Sequence, residues 1–549
     1  MSLRYFYIFL LLFLFPFTLA GQQQTYQASG TTIRTNARIV VVDVIATDSS
    51  GRPVKGLTAK DFSLFEDKKQ QSLTAFDEHF LNHSYEVADH KLNLPPDTYT
   101  NYIPTDPAAP VNIILIDLLN TRPENIEFVK AKVVEMLQKL PPHQRVALFT
   151  LTTQLHMIQG FDSSSDQLIA ATKNISVLPN NVLKTVQQTS SEIQNARETI
   201  SSPKMLASVV QFLIEEHGGH TDAQVSYTME ALTHLARAVA VIPGRKNLIW
   251  LSDSTPFSFL PGTEMGREYR DSIRSVSALL AATQIAVFPV DARGLATTSP
   301  SAAVSSGEAF GDTGGFLNVQ MGALNSAYQS MDAFAEETGG KVFHNTNDLG
   351  GAIRKSMELG SSYYTLSYHP TNNDWNGKFR KISVKSNRRV SLLYRAGYYS
   401  VPDPLKAAND PEQALNTAIM PFVPTSTVLL MKVKVVPPKH DSEPALIDVL
   451  LDPHDLQFGQ KGDQKALSLR FMSVAFDSSG KSAGAVGGNV DQSFDKKGLE
   501  FILKNGIQFH QKLPIKSGTY TLRIGVIDRH SGRLGTLEVP VTVPATSAN

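Results

Sequence analysis

Cysteine is absent from all 549 residues. No disulfide, thiolate metal site, thiol nucleophile or lipid attachment through an N-terminal cysteine is open to this chain, which must hold together by burial alone. Net charge is missing too, because 51 Lys and Arg balance 51 Asp and Glu. A neutral chain offers no electrostatic footprint for nucleic acid or an anionic membrane. Long apolar runs are scarce: one lies between Tyr5 and Phe17, and none of that length follows. Two catalytic signatures are also lacking, the nucleotide loop G-x-x-x-x-G-K-[ST] and H-E-x-x-H.

What remains is an ordinary globular composition, 42% hydrophobic and 19% charged, at a length that suits about two to four domains. The apolar run follows Arg4 and closes on Thr18-Leu19-Ala20, the small-x-small pattern of a signal peptidase site. Residues 1–20 therefore read as a signal peptide, with export to the periplasm, envelope or extracellular space expected. A retained anchor helix is the competing reading, and the run is short for a span of ~20 residues.

Residues 30–82 read as an N-terminal β domain, with alternation in RIVVVDVIATDSSGRPVKGL and DFSLFEDKKQQSLTAF. A polar connector follows at about 82–108. From 111 the pattern becomes alternating strands and helices, a doubly wound α/β domain assigned to 108–400. A Pro-broken linker spans 401–424, and 425–549 is strand-like throughout, which predicts an Ig-like β-sandwich with Pro540 on an edge strand. The 296–316 loop is rich in Ser and Gly.

Three apolar strands end on acid: VNIILID at Asp117, NLIWLSD at Asp253 and IAVFPVD at Asp291. An open parallel sheet gathers such ends at one edge, where ligands bind. Carboxylates gathered there repel unless a cation or hydrogen bonds compensate, and a hard cation with oxygen ligands is the simplest solution.

Residues 111 to about 360 resemble a von Willebrand factor type A domain, which opens on an apolar strand running into Asp-x-Ser-x-Ser. Asp117 matches the first acid, Leu119 stands where the first Ser belongs, and Thr121 supplies the second hydroxyl. Counting back from Ala231-Leu232 places Ser226 at the family's Thr position, and Asp253 in LSDS matches the last acid. The phrases DVIATDSSGRPVKGLTAKDFSLFED, ALTHLARAVAVIPGRKNLIWLSD, YYTLSYHPTNNDWNGKFRKISV and LYRAGYYS further resemble the exported VWFA-related proteins of Acidobacteria, over roughly 38–400. The resemblance implies a metal-ion-dependent adhesion site of Asp117, Thr121, Ser226 and Asp253. Mg²⁺ (or Mn²⁺ or Ca²⁺) would be the cation, and a carboxylate of a protein partner would fill the open position.

Leu119 has no donor atom, so the match is degenerate. A second reading of the same residues is purely structural: Leu119 packs toward the sheet, and Asp117 and Thr121 cap helix N-termini, Thr121 that of the helix starting at Pro123. Asp291, farther along the edge, is not read as a ligand in either case; it pairs with Arg293 or caps its own loop.

His217 and His220 flank Gly218-Gly219, with Asp222 nearby, in a stretch read as a loop. Zinc ligation for a hydrolase is one reading of this trio, and a helix-capping loop is the stronger one. The insert at about 165–220 exceeds what a compact A domain needs and is a candidate cover for the binding edge. The aromatics of YYTLSYHP and AGYYS read as sheet packing. The expectation is an exported, non-enzymatic binding, adhesion or envelope-assembly protein. A metal-free scaffold of the cell envelope is the alternative.

Overall fold

The computed structural model describes residues 39–80, 94–102, 110–141, 144–161, 164–176, 186–240, 242, 244–253, 265–294, 328–329, 331–401, 410–421, 423–440 and 443–544. The signal peptide at 1–20, most of the 82–108 connector, the 296–316 loop and the Pro-rich part of the linker lie outside the described residues. Among the described residues, no helix is long and apolar enough to cross a membrane.

The first strands are β1 (Val40–Thr47), β2 (Phe62–Glu66), β3 (Lys69–Gln71) and β4 (Leu73–Phe80). They do not form a domain by themselves. β1 and β4 both pair with β11 (Ser362–Tyr368), and β2 pairs with β12 (Phe379–Ser386). One four-stranded sheet is completed by β13 (Ser391–Leu393) and the other by β14 (Gly397–Tyr399). Both sheets contribute to one apolar cluster, with Val42 and Val44 from one and Leu64, Ile382 and Val384 from the other. The expected separate domain at 30–82 is therefore half of a two-sheet body, and 362–399 supplies the other half. The reason is burial: a four-strand segment with one apolar face needs a second layer, and here that layer lies about 300 residues away in sequence.

Polar anchors inside this body come from the aromatic phrases. Glu66 accepts from Tyr368 at 2.7 Å and from Tyr398 at 2.8 Å, and Arg380 donates to it at 3.3 Å. Tyr364, Tyr368 and Tyr398 are buried, so these rings form core and not an exposed stacking platform.

The connector is more than a spacer. Residues Thr98–Thr100 form β5, an edge strand on β15 (Met431–Val436) of the C-terminal region. Asn101 fixes it: its amide donates to Ser426 O at 2.8 Å and Leu429 O at 2.9 Å, while its oxygen accepts from Met431 N at 2.8 Å. Beyond residue 425 two further sheets share one core, with Val433, Ile447 and Phe509 from one and Leu469, Ile524 and Val539 from the other.

The α/β domain starts at β6 (Val111–Asp117). Its sheet contains β6, β7 (Arg145–Leu151), β8 (Leu155–Gln159), β9 (Lys246–Ser252) and β10 (Ile285–Asp291), in the order β10-β9-β6-β7-β8. All pairings are parallel except that of β7 with β8. Every residue of β6, β7, β9 and β10 is buried. Alternate side chains explain why. Ile113 and Leu115 of β6 pack with the Pro203–Val239 and Met265–Ala282 helices on one face. Ile114 and Ile116 pack with the Pro123–Gln138 and Leu349–Gly360 helices on the other. This is a doubly wound sheet, and its order reverses at β6. Beyond β10, Val290 forms a single parallel bridge with Phe343.

The 165–220 insert folds as Ser165–Lys173, Val186–Thr199 and the first half of Pro203–Val239. The HGGH stretch falls inside that 37-residue helix, not in a loop.

Candidate site at the sheet switch point

The parallel sheet delivers Asp117 at the end of β6 and Asp253 just beyond β9, on adjacent strands at the switch point. Asp117 is fully buried. Its Oδ1 accepts from the backbone N–H groups of Leu119 at 3.1 Å and Asn120 at 2.9 Å. Its Oδ2 accepts from Asn120 Nδ2 at 2.8 Å and from Trp250 Nε1 at 2.9 Å. The Ser252 hydroxyl also donates to it. Burial pushes the Asp117 carboxyl up to about 6, against the lowering pull of these donors.

Asp253 is compensated separately. Its Oδ2 accepts from Arg122 N and Arg122 Nε, both at 3.0 Å, and Asn125 Nδ2 donates to its oxygens at 2.9 and 2.8 Å. Desolvation raises its pKa, with Arg122 and Asn125 opposing. A carboxylate placed here neutralises the positive end of the Pro123–Gln138 helix. The cap expected of Thr121 is thus provided by Asp253 from a distant strand. Arg122 occupies the N-cap position without a side-chain capping bond, and Thr121 Oγ1 instead accepts from Asp253 N at 3.3 Å.

Three of the four expected ligand residues, Asp117, Thr121 and Asp253, are therefore joined at one rim. Ser226 is not. It is exposed on its helix, while Thr228, buried, accepts from Asn120 Nδ2 at 3.0 Å. The apolar stripe Val225, Met229, Leu232, Leu235 and Val239 passes through Thr228 at helical spacing, and that periodicity is the signal that points to 228 over 226. Leu119 is fully buried in the sheet's core, as its apolar side chain requires.

This donor set does not suit a divalent cation. A metal ligand must present free lone pairs, whereas every Asp117 oxygen faces two N–H groups and Asp253 faces a guanidinium, a backbone N–H and an amide. Asn120 and Trp250, which the sequence reading passed over, sit where a cation's compensation would act. Asp291 is likewise held by Arg293, whose Nε donates at 2.8 Å.

His220 lies 4.0 Å from Glu216, one helical turn away, and Asp222 is exposed. The side chain of His217 is outside the described residues. Among the described residues no three His, Cys, Asp or Glu side chains gather as a metal group. The zinc reading loses its loop, because the two Gly residues are spanned by continuous helix.

The strand order and the switch-point carboxylates define a doubly wound α/β domain. Solved structures similar to it include proteins with von Willebrand A domains. An aerotolerance-related membrane protein from Bacteroides fragilis is 12% identical over 46% of this chain and 98% of its own, at a TM-score of 0.23. Proximal thread matrix protein 1 from the mussel byssus, described with a zinc-occupied MIDAS motif, is 12% identical over 50% of each chain, at 0.22. This chain thus spans half of that protein's length. The ArnB paralog VWA2 from Sulfolobus acidocaldarius is 9% identical over 88% of this chain and 76% of its own, at 0.18. No family model and no curated protein matches. Scores this low carry no argument about the site, so its reading stands on the residues themselves.

Proposed function

We propose that the chain is an exported, non-enzymatic interaction protein of the cell envelope that uses the carboxyl edge of its A-type domain to engage a protein partner without a divalent cation. The observation that carries this reading is the saturation of Asp117 by the N–H groups of Leu119, Asn120 and Trp250. In a cation-dependent adhesion site the metal supplies the positive charge that a partner carboxylate meets. Here the rim offers a fixed guanidinium instead: Arg122, half-exposed, is held by Asp253 on one side and lies 3.7 Å from Glu124 on the other. The Mg²⁺-dependent reading requires Asp117 to lose the Asn120 and Trp250 bonds before any ligand set exists, and Ser226 to be replaced in it by Thr228. The two-sheet bodies on either side, the C-terminal one read as an Ig-like sandwich, serve in this proposal as rigid mounts for the A domain.

The test is retention of envelope proteins on the immobilised mature chain. Retention is expected to be equal in chelator and in Mg²⁺, and to fall several-fold in Arg122→Glu with the chain still folded by circular dichroism. Retention abolished by chelator, or untouched by Arg122→Glu, contradicts the proposal.

A further inference from the structure

At the opposite end of the α/β sheet, where β9 and β10 begin, a cavity of ≈ 20 Å³ lies against β1. Asp43, Arg245, Gln284, Thr338 and Arg395 line it, so it falls between the α/β domain and the first two-sheet body.

Its charges do not balance. Arg245, Lys246 and Arg395 are buried here, and Asp43 is the acid that faces them. Lys246 is committed elsewhere, donating to Ile242 O at 2.7 Å. Arg245 donates through Nη2 to Gly339 O at 2.8 Å and through Nε to Asn247 Oδ1 at 3.4 Å. Its Nη1 lies 3.9 Å from Asp43, too far for a hydrogen bond. Asp43 itself accepts from Thr365 Oγ1 at 2.9 Å and, at 3.4 Å, from Gln284 Nε2. Arg395 is the sharper anomaly. The residue is only 9% exposed, its Nε has no acceptor among the described residues, and its guanidinium lies 5.7 Å from the centroid of the Tyr398 ring.

A buried guanidinium cannot shed its proton to escape this cost, as a lysine can. Asp43 is one acid between two guanidiniums, and the positive charge left uncompensated is worth several kcal/mol against the fold. The void beside it has room for about one water-sized body. A water would satisfy one N–H group but leave the excess positive charge in place. A monatomic anion is the charged body nearest that size, and sulfate, phosphate and carboxylate groups are larger.

We infer that the cavity between Arg245 and Arg395 is a structural halide site, and that a chloride ion held by the two guanidiniums joins the α/β domain to the sheet carrying Asp43. Arg395 lies between β13 and β14 of the first body, whereas Arg245 precedes β9. One anion therefore bridges segments from two bodies.

The experiment compares the mature chain's melting temperature in sodium chloride and in sodium gluconate at equal ionic strength, with a bromide-grown crystal as the direct readout. The expected result is a rise with chloride that gluconate does not give, its loss in Arg395→Met, and an anomalous bromide peak within hydrogen-bond reach of both guanidiniums. Equal melting in the two salts, a chloride effect that persists in Arg395→Met, or a cavity filled by water in the bromide crystal overturns the inference. Should Arg395→Met fail to fold, the crystal alone decides.

Discussion

Trp250 on β9 donates its indole N–H to Asp117 on the neighbouring strand β6 at 2.9 Å. That bond answers the question raised by acid-ended strands, because it places a neutral donor where a cation would otherwise be needed. Trp250→Phe keeps most of the apolar volume against Phe334, whose ring meets Trp250 edge-on, but leaves Asp117 short of a donor. Equilibrium urea unfolding should show a loss of about 1–3 kcal/mol. No measurable change would mean that the indole bond does not matter to Asp117.

The raised Asp117 pKa sets a pH signature with a definite sign. Its folded value of about 6 exceeds the ordinary carboxyl value of 3.8, so between those values the native state binds more protons than the unfolded chain. The contribution of this group is then fully present below about 3.8 and is lost as pH rises through 6, a span worth about 3 kcal/mol. Other carboxylates act in the opposite sense, so the comparison is with Asp117→Asn. The stability difference between the two proteins should shift against wild type from pH 4 to pH 7. A constant difference would contradict the assignment.

Asp253 and Arg122 should behave unequally. Asp253→Ala strips the helix start of its acceptor and leaves Arg122 N and Asn125 without a partner, at a cost of about 1–3 kcal/mol. Arg122→Ala removes a half-exposed guanidinium while Asn125 and the backbone N–H still serve Asp253, so the loss should stay below about 1 kcal/mol. Thermal melts of the two variants test the ranking, and equal losses would overturn it.

The shared sheets predict which fragments fold. A 108–400 fragment leaves β11 without β1 and β4, and β12 without β2. It should express as aggregate, since unpaired apolar strands template association. Extending it to begin at residue 39 restores those partners. Solubility and circular dichroism of the two fragments compare them directly, and a soluble, cooperatively melting 108–400 fragment would contradict the shared-sheet account.

Much of the α/β domain was legible in advance. VNIILID, RVALFTL, NLIWLSD and IAVFPVD are continuous apolar runs, as strands buried on both faces must be, and the structure places them in one sheet. The pairing of Asp291 with Arg293 was legible as well, being local. What stayed hidden depends on contacts that sequence spacing does not encode. The mate of β1 lies beyond the whole α/β domain. β5 looks like a polar connector because only three residues pair and one face of them is buried by a distant strand. At the site, Asp117 was visible as an acid after a strand, but its compensation comes from Trp250, which reads as one more apolar residue of a buried strand. Asn120 reads as a turn residue until its amide is seen between Asp117 and Thr228. Ser226 was chosen by counting, although the helical stripe favours Thr228. Thr121 was read as a cap because nothing local reveals that Asp253 performs that task.

Calorimetric titration of Mn²⁺ into the 39–549 chain at neutral pH, repeated on Asp117→Asn, probes the switch-point account most directly. With Asp117 held by N–H donors, neither protein should give a saturable heat. One-to-one binding by the wild type that disappears in Asp117→Asn would show that a cation can displace Asn120 and Trp250, and the metal-independent reading would fall.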